Sequence, residues 1–283
     1  MKPLPFLSSA VILIALSTSS HASNTYTDEA LENSLQQNFL TQEEIKHYKW
    51  HAQIIGEAFN QKENKLVYRE YHLIERNTDD YKHSVLYLDA DDSLWAYKTI
   101  TYGEKPQRLL SPSIAQKNTT NGKKLSVKHG KEQLIVSFGQ KKKKIKPKEK
   151  YPLVVDAGFD HFIRAYWDKL LTGTPQKFDF VFPKGLRIIP MKAKLVACTS
   201  AFHDYLSKMA DESRFHCFSL TPSNWALKLL AKPITLAYNQ QQQLAHYSGI
   251  SNISDKKNQA PIVSIHYSYK PYSLKKAAST VDH

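Results

Sequence analysis

The feature that most constrains this chain is a period-two alternation that recurs between Lys65 and Gly139. In KLVYREYHLIER, Leu66, Tyr68, Glu70 and His72 fall on one face, and Val67, Arg69, Tyr71 and Leu73 on the other. Successive side chains of an extended chain point to opposite sides, so this pattern reads as strand. HSVLYLDADDSLWAYKTITYG repeats it as strand, turn, strand, with a turn at Asp89 to Ser93 whose aspartates can bond their own backbone. KKLSVKHGKEQLIVSFG does the same around His129, Gly130 and Lys131. Short runs joined by tight turns pair antiparallel, because a parallel pair needs a long crossover. The grammar resumes in KFDFVFP, with Phe178, Phe180 and Phe182 set against Lys177, Asp179 and Val181 and Pro183 ending the run. LRIIPMKAKLVAC, RFHCFSL, the hairpin ITLAYNQQQQLAHYSGISNI with its tip at Gln240 to Gln243, and IVSIHYSY continue it. YKWHAQIIGEAF alternates weakly and reads as the first strand region.

One stretch breaks the pattern. In VVDAGFDHFIRAYWDKLLTG, residues Phe159, Phe162, Ile163, Tyr166, Trp167, Leu170 and Leu171 recur at helical spacing and cover about half of a helical wheel. Asp156 is placed to cap the N-terminus, Asp160 to complement the dipole, Gly173 to stop the helix and Pro175 to follow the stop. The sum is a mainly β (α+β) fold: a large curved antiparallel sheet or half-barrel packed on a central helix at about 157–172. Two short additional helices are expected, after Ser200 and after Ser223.

The chain opens with Lys2, an apolar run from Ala10 to Leu16, and Ser20-His21-Ala22, the shape of a secretory signal cleaved after Ala22. The run is far too short to span a bilayer. The expected organisation is a signal peptide at 1–22, a polar arm at 23–44, a single β-rich domain at 45–270 and a polar tail at 271–283. The expected location is the periplasm or the exterior. Two cysteines, Cys198 and Cys217, then read as one disulfide, worth about 3 kcal/mol by loop closure. Cys198, His203, His216 and Cys217 are a possible zinc set, but His216 and Cys217 are strand neighbours that point to opposite faces.

The formal charge of +13 is almost all lysine. KKKKIKPKEK, residues Lys141 to Lys150, has no arginine or aromatic to grip phosphates or stack bases, so nucleic acid is not the expected partner. It reads as a solvated connector able to make weak contact with an anionic membrane.

Chemistry is sparse. There is no nucleophile elbow, zinc helix, phosphate loop or dinucleotide fingerprint. The showy groups of the central helix have structural duties: Asp160, Arg164 and Asp168 can form an ion ladder, and adjacent Asp160 and His161 diverge. His47 and His51, four apart, lack an obvious third ligand. The best seed for an enzyme is Glu70 with His72, two apart on one strand face. No catalytic residue, metal or cofactor is assigned. Asp160 falls on the wheel between Trp167 and Leu171, and if buried there it needs a partner, Arg164 first.

KLVYREYH, VLYLDADDSLWAYKTITY, DAGFDHFIRAYWDKLLTG, FDFVFP, SNWALKLL and LAHYSGISNI resemble an exported proteobacterial family with no assigned function, from about residue 50 to 267. The architecture is similar to the half-barrels of periplasmic lipoprotein carriers, which implies a concave sheet able to hold an acyl chain. The expected role is non-enzymatic binding of a lipid or another apolar or amphipathic ligand, or of an envelope partner. Trp167, Tyr166, Phe178, Phe180, Phe182 and Trp225 are the candidate lining. An envelope hydrolase using carboxylate and histidine chemistry is the alternative.

Overall fold

Fifteen strands pair into one sheet whose two edges are neighbours in the chain. The computed structural model describes residues 40–76, 80–103, 105–147, 150–198, 215–224 and 233–270. The first arm is a meander: β1 (Ile54–Asn60), β2 (Leu66–Arg76), β3 (Asp80–Asp89), β4 (Leu94–Gly103), β5 (Ser113–Asn118), β6 (Lys124–His129), β7 (Leu134–Phe138) and β8 (Lys141–Ile145). The second arm runs through β9 (Leu153–Val155), β10 (Gln176–Phe182), β11 (Arg187–Val196), β12 (Phe215–Pro222), β13 (Ile234–Asn239), β14 (Leu244–Ile250) and β15 (Ile262–Tyr269). The arms join where β1 pairs antiparallel with β15, and the free edges are β8 and β9. Fourteen strand spacings would part those edges by about 67 Å in a flat sheet. The chain from Ile145 to Leu153 reaches at most about 28 Å. The sheet must therefore curl, and it does so without closing.

Among the described residues all the pairings are antiparallel but one: β9 lies parallel to β10, joined through α3 (Gly158–Ala165) and α4 (Trp167–Leu171). These helices pack on the inner face of the curl. One continuous core holds Tyr68, Val85, Tyr87 and Ile100 of the first arm, Phe162, Ile163 and Leu170 of the helices, and Phe218, Leu236 and Tyr238 of the second. A smaller cluster on the outer face packs α1 (Gln42–His51), through Ile45 and Tyr48, onto Tyr71, Leu86 and Leu88.

Several expectations are corrected. The central helix is two segments, not one from 157 to 172: at Tyr166 the backbone turns to φ −110° and ψ 18°. The bend lets Phe162 meet Phe178 while Trp167 reaches Phe218, Tyr238 and His216. Asp156 does not cap: Ala157 holds that position without a side-chain bond, and the Asp156 carboxylate turns to Lys98 instead. The stop at Gly173 matches its reading, since Gly173 and Thr174 donate to the Leu170 and Lys169 carbonyls in a Schellman closure. Residues 48–51, read as the start of the first strand, instead end a helix at 42–51, which Thr41 and Glu44 open with a capping box, and the arm boundary drawn at 44 cuts through it. Lys141 to Ile145 are the edge strand β8, not a connector: each lysine is exposed and solvated while the backbone pairs with β7. Both expected short helices, the signal segment, most of the polar arm and the tail lie outside the described residues. The short helices within them are α1 and α2 (Pro106–Leu110).

The disulfide is present, with Cys198 and Cys217 joined at an S–S distance of 2.06 Å on the outer face with Ala237 and Phe215. Its formation removes both thiolates from the zinc alternative. His216 points inward to Trp167, and His203 lies outside the described residues.

The two arms are clasped where α2, from the β4–β5 connection, packs on α3. A Cβ at Gly158 would stand 1.9 Å from the Leu110 carbonyl oxygen, so the contact needs glycine. Gly158→Ala is expected to cost about 3 kcal/mol, because the obstacle is backbone that cannot rotate away. A urea denaturation midpoint equal to that of the parent protein would contradict the clasp.

Candidate functional site

Polar residues gather inside the first arm, where an ordinary core would be apolar. On β2 the phase that faces inward carries Tyr68, Glu70 and His72, and only Tyr68 and Glu70 are fully buried. Glu70 stands opposite Gly56 of β1, which in turn stands opposite Tyr267 of β15. With no side chain on Gly56, Tyr267 reaches across β1 and donates to Glu70 Oε2 at 3.0 Å. A Cβ there would lie 2.8 Å from the tyrosine ring and 3.2 Å from the carboxylate.

The same Glu70 oxygen is 3.0 Å from His72 Nε2, so the pair singled out in the sequence does project together. His72 Nδ1 is 2.9 Å from His83 Nε2 on β3. A carboxylate, two imidazoles and a phenol thus form one chain. Burial first, then the charges of His72, Lys98 and His161, push His83 well below the usual histidine range.

The second half of the cluster is centred on Lys98, which is 2% exposed on the inward phase of β4, between Ala96 and Ile100. Its ammonium donates to Asp156 Oδ2 at 2.5 Å and lies 5.8 Å from the Tyr87 ring centre. Asp156 adopts a left-handed backbone, φ 44°, a conformation aspartate tolerates better than most residues. The chain segment after β14 closes the group. Ser251 bonds the Tyr68 hydroxyl at 3.0 Å, Asn252 donates to the Tyr87 hydroxyl at 3.4 Å, and the Ser254 carbonyl accepts from Trp95 and Asn118. Lys184, from the turn after β10, donates to Ser254 Oγ at 2.7 Å. Burial, with Lys98 adding to it and Asp156 opposing, lowers Lys184 to about 8. Burial and the nearby carboxylates lift Tyr68, Tyr87 and Tyr247 well above the ordinary phenol range, so their hydroxyls stay protonated and able to donate.

The central helix serves this interior as a scaffold. His161 and Asp160 diverge as expected. His161 Nε2 meets the Tyr81 hydroxyl at 2.5 Å, while Asp160 accepts from Tyr238 at 2.9 Å and pairs with Arg164. The question raised by the wheel is answered: Asp160 is mostly buried and has Arg164, together with a tyrosine. Asp168 lies exposed on α4. Of the candidate lining, Trp167 and Phe178 are buried against Phe218, Tyr238 and Phe162. Tyr166 stacks near Phe162, Phe180 is half-buried beside them, and Phe182 lies under Arg187. Trp225 lies outside the described residues. The structure thus gathers these aromatics in the second arm and the polar cluster in the first. His47 and His51 are one helical turn apart on α1, and among the described residues no group of three or more metal-ligating side chains converges.

No protein-family model matches the chain, and no curated protein matches it in sequence. Among solved structures, it is similar to a crystal structure described as a beta-barrel-like protein of domain of unknown function DUF1849 from Brucella abortus. That likeness has 7% sequence identity and a TM-score of 0.45, over 77% of this chain and 97% of the other. No helix among the described residues is long and apolar enough to cross a membrane.

Three histidines are held neutral by burial: His83 well below the usual range, His161 at about 4, and His246 at about 3 with His266 adding to the effect. An unfolded chain binds these protons near pH 6.5 and the folded one does not. Stability from this source is whole above about pH 6.5 and is lost as the pH falls, down to about 4 for His161 and about 3 for His246. The urea midpoint should drop between pH 7 and pH 4.5, and less steeply in His161→Gln. Equal slopes in the two proteins would exclude His161 as a contributor.

Proposed function

We propose that this is a non-enzymatic binding protein of the bacterial envelope, holding an amphipathic ligand inside its curled sheet. The observation that carries the reading is the polar interior. Glu70, His72, Lys98 and the Tyr68 and Tyr87 hydroxyls of the first arm, joined by Tyr267 of β15, turn to the interior, where each polar group costs free energy unless it is bonded. A fold that needed only a core would place apolar groups there. The curl leaves β8 and β9 unpaired with each other, so the arms can part at that seam without breaking a ladder bond. The disulfide suits an oxidising compartment. Native mass spectrometry of gently purified protein is expected to show a co-purified amphiphile. A ligand-free mass, together with a melting temperature unmoved by added lipid, would defeat the proposal.

A second reading, an envelope hydrolase, is favoured by the Glu70–His72–His83 chain. A carboxylate that orients one imidazole against another is the arrangement that moves protons in general acid–base chemistry. Turnover of a generic ester, phosphate or glycan substrate should then fall by about a hundredfold or more in Glu70→Gln and His83→Ala. A parent protein inert on the whole panel would remove this reading.

A further inference from the structure

Two ammonium groups, Lys98 and Lys184, gather near one carboxylate, Asp156. Lys98 takes Asp156 as its counter-ion, and that pairing satisfies one ammonium. Lys184 has a hydroxyl for its partner, Ser254 Oγ, and among the described residues no carboxylate lies within ion-pair distance of it. The two amines act on each other, since Lys98 is among the charges that lower the proton affinity of Lys184. The Ser254 carbonyl is bonded by Trp95 and by Asn118, and Asn118 stands opposite Ala96, one strand repeat of about 7 Å from Lys98. Beside Lys98, the Tyr87 hydroxyl accepts from Asn252 and keeps its own proton to donate, and the neighbouring residue, Ser251, bonds Tyr68. An ammonium without a counter-ion, facing a low-dielectric interior lined with donors, is a site for an anionic oxygen group.

We propose that Lys98, Lys184 and the 251–254 segment bind a carboxylate or phosphate head group, with Lys184 as the ammonium in contact and Lys98, fixed by Asp156, as the second charge. The inference rests on the binding reading above and names the ligand end that this interior selects. Lys98 is immobilised by Asp156 and fully buried, so it sets the field. Lys184 is part-exposed on a short turn, so it is the group a ligand meets first. Its lowered proton affinity gives the site a pH signature: the contact weakens as Lys184 loses its proton around pH 8.

The test is calorimetric titration of the full disulfide-bonded protein with laurate, dodecanol and inorganic phosphate, at pH 7 and pH 9. Laurate is expected to bind about tenfold or more tightly than dodecanol at pH 7, the worth of one charge-assisted bond. That preference should shrink at pH 9. Lys184→Gln should lose it at pH 7 while still binding dodecanol, and Lys184→Arg should keep it at pH 9. Laurate and dodecanol binding equally at pH 7 would overturn the head-group site and leave the amphiphile reading standing. Phosphate binding that depends on Lys184, without laurate binding, would uphold the anion site and overturn the amphiphile reading. No binding of any of the three would overturn both.

Discussion

The structure depends on a tether. The two edges of a fifteen-stranded sheet are joined by a few residues, so the sheet is forced into a curl before any side chain is considered. Everything inside follows. The crossover between β9 and β10 has to pass on the inner face, which puts α3 and α4 within reach of both arms. α3 then meets α2 through Gly158, Tyr81 through His161 and Tyr238 through Asp160, so one helix is held by elements distant in the chain. The clasp resists uncurling, and the tether resists flattening.

Curling also decides where polar groups end up. A flat antiparallel sheet can leave one face to water and sort its alternation into apolar and polar sides. Here both phases of the central strands are covered. On β2, Tyr71 goes under α1 while Tyr68, Glu70 and His72 go to the interior. Desolvating a charge costs several kcal/mol even after relaxation, so the interior is organised as pairs and chains rather than isolated groups. Lys98 has Asp156 and the face of Tyr87, and Glu70 has His72 and Tyr267. Such networks stabilise little in themselves but strongly penalise any arrangement that leaves one member unbonded. They therefore fix the register of β1, β2 and β15 around Gly56.

Much of this is legible in the residues. Alternation locates the strands, the 240–243 hairpin and the antiparallel class, and the apolar stripe with Gly173 locates the buried helix and its end. What escapes is long-range. Lys98 sits in the inward phase of LWAYKTITY, and a lysine in that phase is a signal of a buried partner. That the partner is Asp156 depends on a crossover that no local pattern encodes. Asp156 looked like a cap because caps are local, and a fully desolvated ammonium outcompetes a partly solvated backbone N–H for the carboxylate. The capping box at Thr41 and Glu44 was readable, but aromatics and an alternating KWHAQI masked it. The lysine run misled in the opposite sense, since charge describes the side chains and says nothing of whether the backbone pairs.

That run bears on why the sheet stops short of a barrel. Closure would bring β8 against β9, but β9 offers three residues, and β8 presents four consecutive lysines exposed on both of its faces. Pairing there would gain few ladder bonds and would crowd ammonium groups that now sit in water. Lysines on an edge strand also discourage pairing with a second molecule. The same residues that keep the edge from closing on itself keep it from recruiting a neighbour. An open seam is the consequence, and the arms on either side of it are held at the opposite end by the β1–β15 ladder and, inside, by the α2–α3 clasp.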